Sequence, residues 1–147
     1  MLNAKHKLIV LMADDDEDYY LLAKQAFDEA CPDHELYRVE DGQELMDYLE
    51  LKGKYKDAVR PDVIFLDLNM PRKDGHQALR EIKADPILRQ IPIVILSSSK
   101  SEEDIKESYQ NGAHSYIWKP FGFKQLMNML KIFCQYWIET IELPSYR

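Results

Sequence analysis

Five short apolar runs punctuate the chain, at residues 8–13, 36–39, 63–66, 93–96 and 115–118. The first, third and fourth are unbroken runs rich in Ile, Val and Leu. Such runs predict strands buried on both faces, as in a parallel sheet covered by helices. Residues 36–39 (Leu-Tyr-Arg-Val) are more polar and predict an edge strand. Longer amphipathic stretches fill the gaps. Leu21, Leu22, Ala26 and Ala30 mark a helix that ends before Pro32. Leu45, Met46 and Leu49 mark a second, followed by the polar residues 52–57. Ala78, Leu79 and Ile82 mark a third that stops near Asp85 and Pro86. Ser101 and Asp104 open a fourth as a capping box, and Asn111 with Gly112 closes it. Residues 126–141 form a long fifth. Five strand–helix units in series predict an α/β, doubly wound, five-stranded parallel sheet in the order 2-1-3-4-5.

The chain has 147 residues, of which 46% are hydrophobic and 31% charged, enough for one real core and too few for a second large one. The expected division is one domain over residues 5–142, a short tail over 143–147, and no output domain. The apolar run at residues 8–13 is far short of the roughly 20 residues a membrane span needs, and no cleavage site follows it, so neither a span nor a secretory signal is expected. Cys31 and Cys134 are read as neither a disulfide framework nor a C-x-x-C site, which points to a reducing, cytoplasmic compartment. A net charge of −7 argues against nucleic-acid binding, which needs a basic footprint.

Polar residues cluster just past the predicted strand ends. Asp14, Asp15 and Asp16 follow strand 1, Asp67 follows strand 3, Ser97 to Ser99 follow strand 4, and Lys119 with Pro120 follows strand 5. In an open α/β sheet that edge is the ligand crevice. Each residue alone has a bland reading: an acid or Ser after a strand commonly caps the next helix, and Asp16 is read that way. Four strand ends delivering carboxylates, a hydroxyl and an ammonium to one edge have no such single explanation. Clustered carboxylates repel unless a cation joins them, and hard oxygen ligands suit Mg2+. Lys119 can hold a phosphoryl oxygen, and a carboxylate nucleophile can form an acyl phosphate. Asp67, on the central strand, is the best nucleophile.

These pieces together resemble the receiver domain of two-component response regulators, which has a flavodoxin-like fold. The resemblance rests on Asp14 and Asp15, the segment 67–75 (Asp-Leu-Asn-Met-Pro-Arg-Lys-Asp-Gly), Ser97, and the run Tyr116-Ile117-Trp118-Lys119-Pro120. It covers residues 5–140. Segment 67–75 and the ending 136–144 are also similar to the small stand-alone regulators partnered with phytochromes. The resemblance implies that Asp67 is the phosphoacceptor and that Asp14, Asp15, Asp67 and the backbone carbonyl of Asn69 hold Mg2+. It implies that Lys119 pairs with the phosphoryl group, that Ser97 and Tyr116 are the switch pair, and that Pro120 follows a cis peptide bond. Gly75 is expected in a turn that needs a permissive backbone. Trp118 is bulkier than expected at its position; it is read as packing on helix 5, with a partner-facing surface as the alternative.

The implied function is a signalling module rather than an enzyme: a phosphorelay receiver that takes a phosphoryl group from a sensor histidine kinase, possibly a phytochrome, and alters a protein-binding face. Other readings fit the residues less well. A haloacid-dehalogenase-type phosphatase also uses an Asp after a strand, but on the first strand and with a second Asp where position 69 here is Asn. A receiver-like interaction module that has lost phosphorylation would lack one of the key groups. Helix 5 carries more apolar residues than one stripe requires. Leu126, Leu130, Phe133, Trp137 and Ile141 can cover the sheet, which leaves Met129, Ile132 and Tyr136 on one neighbouring stripe and Met127, Cys134 and Ile138 on another. A homodimer through helix 5 is therefore expected, unless residues 141–144 fold back over the surplus.

Overall fold

The computed structural model describes residues 7–144; residues 5–6 of the expected domain and 145–147 of the expected tail lie outside this range. Five parallel strands, β1 (Ile9–Ala13), β2 (Glu35–Val39), β3 (Val63–Leu66), β4 (Ile93–Ser97) and β5 (Ser115–Trp118), form one sheet in the order β2-β1-β3-β4-β5. The helices are α1 (Glu17–Ala30), α2 (Gly42–Leu49), α3 (Gly75–Ala84), α4 (Glu102–Gln110) and α5 (Phe123–Gln135), which continues into a π-helical turn, Tyr136–Thr140. Both the fold class and the strand order are as predicted. Among the described residues no helix is long and apolar enough to cross a membrane.

Because side chains alternate along a strand, the fully buried central strands feed two cores. Leu11, Ala13, Ile64, Leu66, Ile93 and Ile95 pack with α2 and α3. Val10, Met12, Val63, Phe65, Val94 and Leu96 pack with α1 and α5. On α5 the predicted stripe is buried at Leu126, Leu130, Phe133 and Trp137, which face the second core, while Ile141 is half-buried beyond the helix and Cys134, from the predicted surplus, is also buried. The tail does fold back in part, with Ile141 and Leu143 packed against that core. It leaves Ile132 69% and Tyr136 40% exposed, so the surplus on α5 is not fully covered. The helix α4 differs from the others: its only buried residue is Ser108. Polar contacts hold it instead, namely His76 to Asp104 at 3.1 Å, Arg80 to Glu107 at 3.3 Å, and Ser99 to Asp104 at 2.6 Å.

Two expectations need correction. Cys31 and Cys134 are joined in a disulfide, with Cα atoms 6.5 Å apart. They are 103 residues apart in sequence, and only the packing of α1 beside α5 on one sheet face brings them together, so no local spacing signalled the pair. Trp118 does not pack on α5. It is half exposed at the end of the edge strand β5, its indole N–H donates to the Ser98 carbonyl at 3.1 Å, and Lys100 lies over its ring at 3.7 Å.

Gly75 is required, but for space rather than for an unusual backbone angle. It opens α3 under the cap Asp74, and a Cβ there would run into the Asp67 carbonyl and the Leu68 Cα. Its N–H donates to the Leu68 carbonyl at 2.9 Å, so the residues after Asp67 are pinned to the start of α3. Gly75→Ala is expected to lower stability by about 1–3 kcal/mol, the usual range for forced overpacking, read as a lower urea midpoint at unchanged m-value.

Candidate functional site

The sheet itself positions the site. Strand register sets Asp67 beside Asp14: β1 and β3 pair through Ala13 and Leu66, and the Asp67 N–H donates to the Ala13 carbonyl at 3.0 Å. The Asp14 N–H donates to the Val39 carbonyl of β2 at 3.1 Å, and the Lys119 N–H donates to the Ser97 carbonyl of β4 at 2.8 Å. Three backbone bonds between neighbouring strands thus fix where these side chains begin.

Asp14 and Asp67 are 1% and 5% exposed, while Asp15 is at the surface. Oxygens of the three carboxylates lie within 4.8 Å of one another. The buried ammonium of Lys119 sits 2.8 Å from Asp14 Oδ2 and 3.7 Å from Asp67 Oδ2. One cation therefore faces three carboxylates. Burial pushes the Asp67 carboxyl up to about 6; Lys119 pulls it down, and the nearby charge of Asp14 pushes it up further. An all-oxygen, acid-rich donor set of this kind fits a hard divalent cation, which would relieve the uncompensated charge. Asp16 takes no part, since it caps α1 by accepting from the Tyr19 N–H at 3.0 Å, as expected.

Asn69 is exposed two residues beyond Asp67, and its N–H donates to Asp67 Oδ1 at 3.5 Å. Ser97 is fully buried at the end of β4, and its Oγ accepts from the Ser99 N–H at 3.1 Å; it makes no hydrogen bond to a carboxylate. Tyr116 is half-buried on β5 and donates to the Ser99 carbonyl at 2.7 Å. Ser97 and Tyr116 thus meet through the same loop residue. Pro120 follows a trans peptide bond, not the cis bond that the resemblance implies; no cis bond occurs among the described residues. Trans is the default isomer for an X–Pro bond, by about 0.5–1 kcal/mol, and here the Pro120 carbonyl is held by the Tyr19 hydroxyl at 3.0 Å.

Sequence reasoning missed three participants. Tyr19 lies on the first turn of α1 under Lys119, whose Nζ is 4.6 Å from the ring centre, and burial raises its hydroxyl pKa. Arg38 on β2 donates to the carbonyls of Asp14 and Asp15 at 3.0 and 3.2 Å and so holds the acidic loop. Asp104 ties α4 to the loop after Ser97. The alternation of β2 could have signalled Arg38, a cation on an edge strand beside the acids; Tyr19 and Asp104 depend on contacts between elements.

A family profile described as the response regulator receiver domain matches residues 10–131. The chain is 36% identical over 137 residues to the response regulator Rcp1 of Synechocystis sp., with 93% of each protein covered. Among solved structures it is similar to the phosphorylated cyanobacterial phytochrome response regulator RcpA, with a TM-score of 0.88 and 40% identity, covering 95% of this chain and 99% of that one. It is also similar to the Mn2+-bound form of Rcp1, with a TM-score of 0.85 and 36% identity over 94% of this chain and 99% of that one.

The raised carboxyl of Asp67 has a consequence for stability. Its ordinary value is 3.8 and its folded value about 6. Between those values the folded chain binds a proton that the unfolded chain does not, so stability falls as pH rises through this window. At pH 7 in metal-free buffer, Asp67→Asn is expected to stabilise the protein by about 1–3 kcal/mol. The gain should vanish near pH 4, as read by urea unfolding at a series of pH values.

Proposed function

The chain belongs to the response regulator receiver domain family, and from that membership we propose that it is a single-domain phosphorelay receiver, with Asp67 accepting a phosphoryl group from a sensor histidine kinase. The observation that carries the proposal is the buried Lys119 ammonium between Asp14 and Asp67, beside a third carboxylate. An Asp67 oxygen attacks the phosphorus of a phosphohistidine, the P–N bond breaks, and the imidazole leaves with its electron pair. Asp14, Asp15, Asp67 and the Asn69 carbonyl would hold Mg2+, which when bound supplies positive charge opposite the phosphoryl oxygens. Lys119, 3.7 Å from Asp67, is placed to pair with another of those oxygens. The chain is no turnover enzyme in this reading: its only chemistry is to gain the phosphoryl group and to lose it.

Signalling would run through the loop between β4 and α4. The acyl phosphate adds negative charge at Asp67 and offers the Ser97 hydroxyl an acceptor for its proton, where Ser97 Oγ at present accepts from the Ser99 N–H. Movement of that hydroxyl disturbs Ser99, which holds both Tyr116 and Asp104. Because α4 has no apolar anchor, it is free to answer a small pull.

The partners follow from the same surface. A groove of about 410 Å3 runs between β5 and α5, lined by Ile117, Met129, Ile132, Phe133 and Tyr136. We assign it to a second copy of the chain, which would give a homodimer through the α4–β5–α5 region. The similarity to phytochrome regulators makes a phytochrome kinase the proposed donor, and membership of the receiver family, rather than the cysteines, supports a cytoplasmic setting. The acidic charge of −7 matches protein partners rather than nucleic acid.

Incubation with acetyl phosphate is expected to add one phosphoryl group by intact mass, only with Mg2+ present, and none in Asp67→Asn. Asp15→Ala should weaken Mg2+ binding at least tenfold, as read by titration; equal affinity would remove Asp15 from the site. Ser97→Ala should still be phosphorylated yet lose the amide-exchange change around Tyr116.

A further inference from the structure

We propose that Cys31 and Cys134 are a reversible thiol–disulfide site that, when oxidised, clamps the far ends of α1 and α5 together. Both cysteines stand on elements that ordinary packing already fixes. Cys31 is the C-cap of α1, with its N–H donating to the Phe27 carbonyl at 2.7 Å, and Cys134 lies in the last turn of α5. The two helices share the core that contains Phe27, Leu130 and Phe133. Their Cα separation of 6.5 Å is within the range a disulfide spans, so closing the bond demands no change of fold.

Each cysteine is nearly covered, at 2% and 5% exposed, yet the pair borders solvent. It forms part of the wall of an open cleft of about 320 Å3, whose other lining includes Asp33, His34, Lys131 and Glu139. A small disulfide or thiol can enter such a cleft and needs only a local opening there to reach the sulfurs. In the cytoplasmic setting proposed above, a disulfide is transient or redox-sensing rather than permanent; the pairing itself does not depend on that setting.

The exchange balances with a small-molecule disulfide such as oxidised glutathione. One cysteine thiolate attacks a glutathione sulfur, forming a mixed disulfide and expelling one glutathione thiolate. The second cysteine thiolate then attacks the protein sulfur of that bond, expelling the other. The cysteine pair loses two electrons, glutathione disulfide gains them, and the two thiol protons pass to the released thiolates.

The clamp acts on the side of α5 away from the groove. Ile132 and Tyr136 each lie two residues from Cys134, about 200° round the helix. Beyond Cys134 the chain enters the π-helical turn Tyr136–Thr140 and the folded-back residues 141–144. Oxidation therefore fixes the base of the segment that carries Tyr136, and reduction frees it.

The full-length protein is equilibrated in glutathione buffers of graded ratio, alkylated, and weighed intact, with amide exchange and thermal unfolding followed in parallel. We expect one two-electron transition between a form with two free thiols and one with none. On reduction, exchange over residues 130–141 should quicken several-fold and Tm should fall by roughly 5–15 °C, as the opening of so long a covalent loop implies. Cys31→Ser and Cys134→Ser should each fold and show at most a glutathione adduct on the remaining thiol, with no two-electron transition and no redox-dependent exchange over residues 130–141. Thiols that stay free under excess oxidised glutathione, a bond that millimolar glutathione leaves intact, or exchange identical in both forms would each overturn the proposal. Phosphorylation of Asp67 is scored separately by mass, so failure here leaves the receiver assignment untouched, and the reverse holds too.

Discussion

Asp14 and Asp67 are nearly withdrawn from water, and a single buried ammonium, that of Lys119, is left to balance them with Asp15 alongside. That imbalance of charge governs the rest of the site. A carboxylate held about two pKa units above its ordinary value stores on the order of 3 kcal/mol against the folded state at neutral pH. The fold tolerates it because β1, β3 and β4 are buried along their whole length and fix the strand ends through backbone bonds. The uncompensated charge suits the edge to a divalent cation. Sites that bind charged ligands commonly carry such a cost.

The same edge shows why a local event there can be felt elsewhere. The loop after β4 is held by side-chain bonds that converge on Ser99: its N–H to Ser97, its carbonyl from Tyr116, its hydroxyl to Asp104. No apolar side chain of α4 is buried, so α4 follows these polar contacts and those of His76 and Arg80 on α3. Rigid strands and a polar-tethered helix give the contrast in local stability that a two-state element needs. Trp118, half exposed, is tied to this loop through the Ser98 carbonyl, with Lys100 over its ring.

On α5 three faces have three uses. The stripe from Leu126 to Trp137 closes the core, the Ile132 and Tyr136 side lines an open groove, and the Cys134 side is bonded to α1. An amphipathic helix with one partner needs a single apolar stripe. Part of the excess apolar character of residues 126–141 is thus covered by the folded-back residues Ile141 and Leu143, and the rest lines the open groove.

Alternation, run length and capping residues were enough to read all five strands, their order and the acidic edge, because those features depend on neighbours close in sequence and on a topology with few alternatives. Asp14, Asp15, Asp67 and Lys119 were legible because each directly follows a strand, and strand ends in a parallel sheet share one edge. What lies at a distance was not legible. The joining of Cys31 to Cys134, the hydroxyl of Tyr19 on the Pro120 carbonyl, the turn of Trp118 toward the loop and the clash that forces glycine at position 75 all arise between elements far apart in the chain. The trans bond before Pro120 belongs with them, since an X–Pro bond is nearly balanced and its surroundings choose the isomer. The amino-acid order thus determined which groups reach the functional edge, and tertiary packing alone decided their distances, their burial and so their charge, because desolvation and Coulomb interactions depend on separations in space that no spacing along the chain records.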